Sequence, residues 1–244
     1  MSTPRLRMFA GPNGSGKSTL NGVISKELLG VYINPDEIEK EIKKFDFLDL
    51  DLYEIKATET EMRSFFNTHP LSEKVNFENE LDQLKFFDNK IDFYAVIVNS
   101  YFASICADFI RHKLLDAHIS FTFETVMSSP DKVEFLKKAQ ESGYRTYLYF
   151  IATQDPSINV SRVENRVKLG GHSVPKDKIL SRYYRSLELL PSAVKYANRA
   201  YIFDNSSQEK AWLAEITDGK EFEYKSKYIP EWLNTYLLHI NKTI

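Results

Sequence analysis

The residues best suited to chemistry stand near the start of the chain, in "MFAGPNGSGKSTL", residues 8–20. Gly11, Gly16, Lys17 and Ser18 meet the full spacing of a phosphate-binding loop, with the apolar run "RMFA" before it and the helix-compatible "STLNGVISKELL" after it. In such a loop, here Gly11, Pro12, Asn13, Gly14, Ser15 and Gly16, the glycines let main-chain N–H groups wrap an anion, and the positive end of the following helix adds to their pull. Lys17 supplies a mobile charge for the β and γ phosphates of a nucleotide, Ser18 offers a hydroxyl to Mg²⁺, and Thr19 follows as the next residue of the site. A chance glycine-rich turn rarely reproduces the whole pattern in a strand–loop–helix setting, so ATP with Mg²⁺ is the expected ligand.

Passing a phosphate on requires further groups. In "NPDEIEKEI", Asn34 caps a helix, Pro35 suits its first position and Glu37 can close a capping box. Asp36 then falls at the carboxyl end of a parallel strand, where ligands of open α/β sheets bind, and its carboxylate can take the proton of an acceptor hydroxyl; the alternative is a first-turn acid with no other role. "SFTFETVMSS" brings Glu124 and Thr125 to a second strand end, so both can face the same cleft. Glu124 is placed to hold a substrate hydroxyl or a water on Mg²⁺, whereas Thr125 serves either the substrate or the turn.

Downstream, "SRVENRVKLGGHSVPKDKILSRYYRSL" sets Arg162 and Arg166 four apart, then Gly170 and Gly171, then a helix opened by Pro175 that carries Arg182 and Arg185. Arginine-bearing helices about a glycine hinge predict a lid over the charge that develops in phosphoryl transfer, with Arg166 and Arg182 ahead of their neighbours; solvated surface arginines are the competing reading. His172 reads as a loop or cap residue. Asn205, in "YIFDNS", either borders the nucleobase or starts a turn.

The elements that must position these groups follow from the hydrophobic pattern. Five strands are predicted, "RLRMFA", "VYIN", "SFTFE", "RTYLYFIA" and "RAYIFDN", with helices between them, which implies an α/β chain with a largely parallel sheet. The expected organisation is one three-layer domain over residues 1–244: a mostly helical crossover and insertion at 46–117, a lid at 155–190, and a hairpin with a helix at 213–244. The stretch "FYAVIVNSYFASICADFI" is read as a buried helix, since Asn99, Ser100, Ser104 and Asp108 interrupt any membrane span. Lys and Arg total 32 against 34 Asp and Glu, a balance that disfavours nucleic acid and membrane surfaces as partners. The single cysteine, Cys106, rules out an intrachain disulfide, and with no secretion signal in view the expected compartment is the cytoplasm.

With "GPNGSGKST", "INPDEI", "FETVMSS", "RVENRVKLGGHSVP", "RYYRSLELLP" and "IFDNS" in that order, the chain resembles the zeta-toxin family of P-loop kinases, in particular its chromosomal, toxin-like branch. The resemblance covers roughly residues 5–44 and 119–206. It implies a kinase-type sheet and ATP-dependent phosphorylation of a sugar nucleotide, UDP-N-acetylglucosamine, on an amino-sugar hydroxyl. The family's catalytic aspartate falls on Asp36, its substrate-side acid on Glu124, and its lid arginines on the segment holding Arg162, Arg166 and Arg182. Family toxins are often neutralised by a helical antitoxin. Two other functions stay open from the residues alone: a polynucleotide 5′-hydroxyl kinase, kept alive by the aromatic-rich insertion, and an ATP-gated binding module without transfer activity.

Overall fold

Apolar runs become strands and capped amphipathic stretches become helices over residues 3–73, 80–171 and 173–238, which the computed structural model describes. Along the chain, β1 (Arg5–Ala10) leads through the glycine-rich loop into a 3₁₀ turn (Lys17–Gly22), the short α1 (Lys26–Leu29), β2 (Val31–Ile33) and α2 (Pro35–Phe45). Next come β3 (Phe47–Asp49), α3 (Glu59–Thr68), α4 (Glu80–Gln83), β4 (Lys85–Phe87), β5 (Lys90–Asp92) and α5 (Ser100–Asp116). The chain continues with β6 (Phe121–Thr125), α6 (Asp131–Glu141), β7 (Arg145–Ala152), α7 (Pro156–Lys168), α8 (Lys176–Glu188) and α9 (Leu190–Lys195). It closes with β8 (Arg199–Asp204), β9 (Ala211–Thr217), β10 (Glu221–Tyr224) and α10 (Glu231–Leu233). Two compact units result, Met1–Leu29 with Glu124–Ile244, and Gly30–Phe123.

In the first unit β1, β7 and β8 are parallel neighbours, with Arg5–Ala10 beside Arg145–Phe150 and Tyr147–Ala152 beside Arg199–Asp204. Such strands are buried on both faces, and their sequences are near-continuous apolar runs for that reason: Leu6, Met8, Phe9, Leu148, Phe150 and Ile202 are fully buried. Helix α6 packs on β1 and β7 through Val133, Leu136 and Ala139, one helical stripe. β9 runs antiparallel to β8 and returns as β10 through a turn at Asp218 and Gly219, both with positive φ, which is the predicted hairpin. The shared direction of β1, β7 and β8 brings Ala10, Ala152 and Asp204 to one edge, so the loops that leave them are neighbours.

In the second unit β2 is parallel to β6, and α2 packs against α5, whose Phe102, Ile105, Cys106, Phe109 and Ile110 are buried. Burial pushes the Cys106 thiol far above its ordinary range, so it acts as a small apolar side chain. The buried helix begins later than its sequence suggests, at Ser100, because Asn99 accepts the N–H groups of Tyr101 and Phe102 and caps it.

The five predicted strands all form. Two further elements differ from the sequence reading. The stretch after the glycine-rich loop is a 3₁₀ turn and a four-residue helix instead of one helix, with the break at residues 23–25. The 46–117 stretch carries, besides its helices, a small antiparallel sheet in the order β3-β5-β4. His172 and the tail beyond residue 238 lie outside the described residues.

Candidate phosphate-binding site

β1 ends at Ala10, and the loop that follows carries three positive-φ glycines, Gly11, Gly14 and Gly16. Gly14 has φ +75° and Gly16 has φ +97°, backbone that side-chain-bearing residues rarely adopt. Each is also approached closely. A Cβ on Gly14 would stand 2.6 Å from the backbone oxygen of Asn159 in α7, and one on Gly16 would stand 2.4 Å from Asn205 Nδ2. Glycine at these positions is thus required by neighbouring elements as well as by the loop itself.

The loop's polar groups are held from several sides. Asn159 Nδ2 donates to the Asn13 carbonyl at 2.6 Å, and Asn205 Nδ2 donates to the Ser15 carbonyl at 2.8 Å. Lys17 Nζ donates to the carbonyls of Gly11, 2.9 Å, and Pro12, 3.0 Å, so its ammonium lies over the loop mouth. Thr19 Oγ1 donates to Gly16 O, and Lys210, just before β9, donates to Thr19 O at 3.1 Å; burial lowers the affinity of that lysine for its proton. Asn13 Oδ1 and Ser15 Oγ are buried and have no hydrogen-bond partner among the described residues. A buried hydroxyl in this state suits an anionic oxygen, and the cradle at Gly14 and Gly16 leaves main-chain amides within reach of one.

Ser18 Oγ donates to Glu124 Oε2 at 3.5 Å, and Glu124 is buried at the end of β6. A hydroxyl and a carboxylate side by side are hard oxygen donors of the kind Mg²⁺ accepts. Among the described residues no group of three or more His, Cys, Asp or Glu side chains gathers into a site of its own, so a cation here would complete its shell with phosphate oxygens and water. Thr125 has a different task from Glu124: its Oγ1 accepts the N–H of Met127 at 3.0 Å and shapes the turn, in which Met127 takes φ +52°.

The two arginine helices are anchored at their bases. In α7, Asp155 caps the first turn by accepting the Ser157 N–H, and Asn159 reaches the loop. In α8, Tyr183 donates to Thr153 O at 2.5 Å and Ser186 to Val126 O at 2.8 Å. Val160 and Val163 of α7 pack against Ile179 of α8, so the segment about Gly170 and Gly171 is the part farthest from these anchors in sequence. Arg162 lies three residues beyond Asn159 in α7, and its Nη1 is buried with no partner among the described residues. Arg166 is exposed and its side chain abuts Gly171, whose Cβ would fall 2.5 Å from Arg166 Cγ; Arg182 is half-buried.

Asp36 belongs to the second unit. It is exposed in the first turn of α2, where its own N–H is accepted by the Asn34 side chain at 2.9 Å, the predicted cap. Asn159, Thr153, Tyr183 and Lys210 are the site residues that sequence reading does not single out. Nothing local marks them: Asn159 is one polar residue of the helical stretch "INVSRV".

A curated protein of Haemophilus influenzae (strain ATCC 51907 / DSM 11121 / KW20 / Rd), described as an uncharacterized protein, is 33% identical over 72 residues, which are 30% of this chain and 51% of that protein. The chain thus spans about half the length of that curated relative. The crystal structure of AvrRxo1-ORF1:-ORF2 with ATP superposes with a TM-score of 0.52 at 15% identity, covering 91% of this chain and 61% of that one, which shows a shared fold. The structure of the PezAT chromosomal toxin-antitoxin system of Streptococcus pneumoniae is similar at a TM-score of 0.49 and 14% identity, covering 98% of this chain and 80% of that chain. Among the described residues no helix is long and apolar enough to cross a membrane. The Zeta toxin family model matches residues 88–216, more than half of the chain, and the protein belongs to the zeta toxin family.

Proposed function

We propose that the protein is an ATP-dependent phosphotransferase whose acceptor is an alcohol, a hydroxyl of a sugar nucleotide such as UDP-N-acetylglucosamine. The observation that carries this reading is the loop 11–19: three positive-φ glycines, carbonyls turned aside onto asparagines, Lys17 over the mouth and Ser18 beside Glu124. That arrangement suits a polyphosphate better than any uncharged ligand. The likeness to a fold captured with ATP supports the donor; the sugar nucleotide rests on the family to which the chain belongs.

In this reading the loop amides and Lys17 bind the β and γ phosphates and fix the γ-phosphorus in line for attack. Ser18 and Glu124 would hold Mg²⁺, which when bound neutralises charge on the phosphate oxygens. Asp36 takes the proton of the acceptor hydroxyl as its oxygen bonds to phosphorus and the bond to the ADP oxygen breaks. Arg162, with Arg166 and Arg182, stabilises the charge spread over the transferring group and narrows water's access. Asn205 bounds the nucleotide side of the loop, and Thr125 shapes the acceptor side.

The test is substitution at Asp36. Asp36→Asn is expected to leave ATP affinity within about twofold of wild type while lowering transfer by at least about a hundredfold, the order expected for loss of a general base. Retained turnover would remove Asp36 from the mechanism.

A further inference from the structure

The loop's two asparagine contacts form a pattern. A peptide unit is planar and trans, so its C=O and N–H point in opposite directions. Asn159 holds the carbonyl of Asn13, which turns the N–H of Gly14 to the opposite side; Asn205 holds the carbonyl of Ser15, which does the same for the N–H of Gly16. The two asparagines come from different elements, α7 and the end of β8, and each lies against the glycine whose amide it orients, as the would-be Cβ contacts of 2.6 Å and 2.4 Å record.

We propose that Asn159 and Asn205 act as a paired clamp that aims the Gly14 and Gly16 amides at the phosphates of the bound nucleotide, making both of them positioning residues. The inference rests on the nucleotide reading given above and deepens it. Asn159 is fully buried, and its amide cannot rotate freely, because its Oδ1 accepts the hydroxyl of Thr153 while its Nδ2 serves Asn13. Thr153 is itself held: its carbonyl accepts Tyr183 of α8. The N–H of Asn205 donates to Ala152 O at 2.9 Å, which fixes the second asparagine on the strand edge. The clamp therefore ties loop geometry to the seating of both arginine helices. An amide already aimed at an anion loses nothing to reorientation on binding, which is how a rigid neighbour raises affinity without touching the ligand.

The experiment measures Mg·ATP binding by calorimetry on the full chain, together with amide resonances of a ¹⁵N-labelled sample and the melting temperature. Asn159→Ala and Asn205→Ala should each weaken ATP at least tenfold, with the free-protein amide of Gly14 perturbed most in the first and that of Gly16 most in the second. Thr153→Val should reproduce the first effect and Thr153→Ser, which keeps the donor, should retain affinity. The control is Thr146→Val, which removes a buried hydroxyl bonded to Tyr196 O and Asn198 Oδ1 at the other end of β7. Equal loss of affinity in this control would reduce the effect to stability and overturn the clamp. Affinity within twofold of wild type in both asparagine variants overturns it as well, with the nucleotide reading intact. A wild-type chain that binds no ATP overturns both.

Discussion

Gly14→Ala tests the loop most severely, and its effect can be worked from the geometry. At φ +75° an alanine sits in the left-handed region, at a cost of about 1–2 kcal/mol. Its Cβ would meet the Asn159 backbone oxygen at 2.6 Å, roughly 0.8 Å inside ordinary contact, and that oxygen belongs to α7 and cannot swing aside as a side-chain end would. Displacing a packed element by this amount costs about 1–3 kcal/mol, which gives roughly 2–5 kcal/mol in all. If α7 stays seated, the strain appears as lost stability, a fall in Tm on the order of 5–15 °C. If α7 lifts, it appears as lost ATP affinity of about thirtyfold or more. Differential scanning calorimetry with and without ATP separates the two. Gly16→Ala makes a useful contrast, because its clash is with the side-chain amide of Asn205 instead of backbone and is partly relieved by Asn205→Ala. Gly14→Ala with unchanged Tm and unchanged ATP affinity would refute the reasoning.

Other outcomes follow from single contacts. Arg162→Ala should lower the transfer rate roughly a hundredfold while ATP affinity stays within about threefold, read by steady-state kinetics against calorimetric binding, because a group that meets developing charge acts on the transition state. Tyr183→Phe removes the hydroxyl that donates to Thr153 O and should cost about 1 kcal/mol in urea unfolding. Burial raises the Glu41 carboxyl above its ordinary range despite the hydroxyl it accepts from Tyr53. A raised folded-state pKa favours the fold below the unfolded value and is lost as pH rises through the folded one, so Glu41→Gln should raise Tm at about pH 7.5 and change it little near pH 4.

The parts of the site set by local backbone chemistry are legible in the sequence. Glycines at 11 and 16, Lys17 and Ser18 announce the loop because those types satisfy its turns and its anion, and Asn34 announces the start of α2 because a cap needs a short polar side chain. Strands such as "RTYLYFIA" stand out because burial on both faces leaves no room for polar interruptions. What tertiary contact decides is not legible. Asn159 reads as an unremarkable helical polar residue until α7 is laid against the loop, 146 positions away in sequence. The sheet β3-β5-β4 is built from three-residue strands, too short to show an alternation, and α1 shrinks to four residues despite helix-compatible composition. Thr125 could serve a substrate or a turn by type alone; the Met127 N–H that it accepts shows the second use.

The central claim is that the loop holds a triphosphate whose end is passed to an alcohol. The most direct measurement is incubation of the full chain with γ-¹⁸O-labelled ATP, Mg²⁺ and a panel of sugar nucleotides, read by mass spectrometry beside Lys17→Met and Asp36→Asn. The account predicts one labelled phosphate on a sugar nucleotide, UDP-N-acetylglucosamine first among them, and none with either variant. Tight ATP binding with no labelled product from any acceptor, or the same product yield from Lys17→Met, would contradict it.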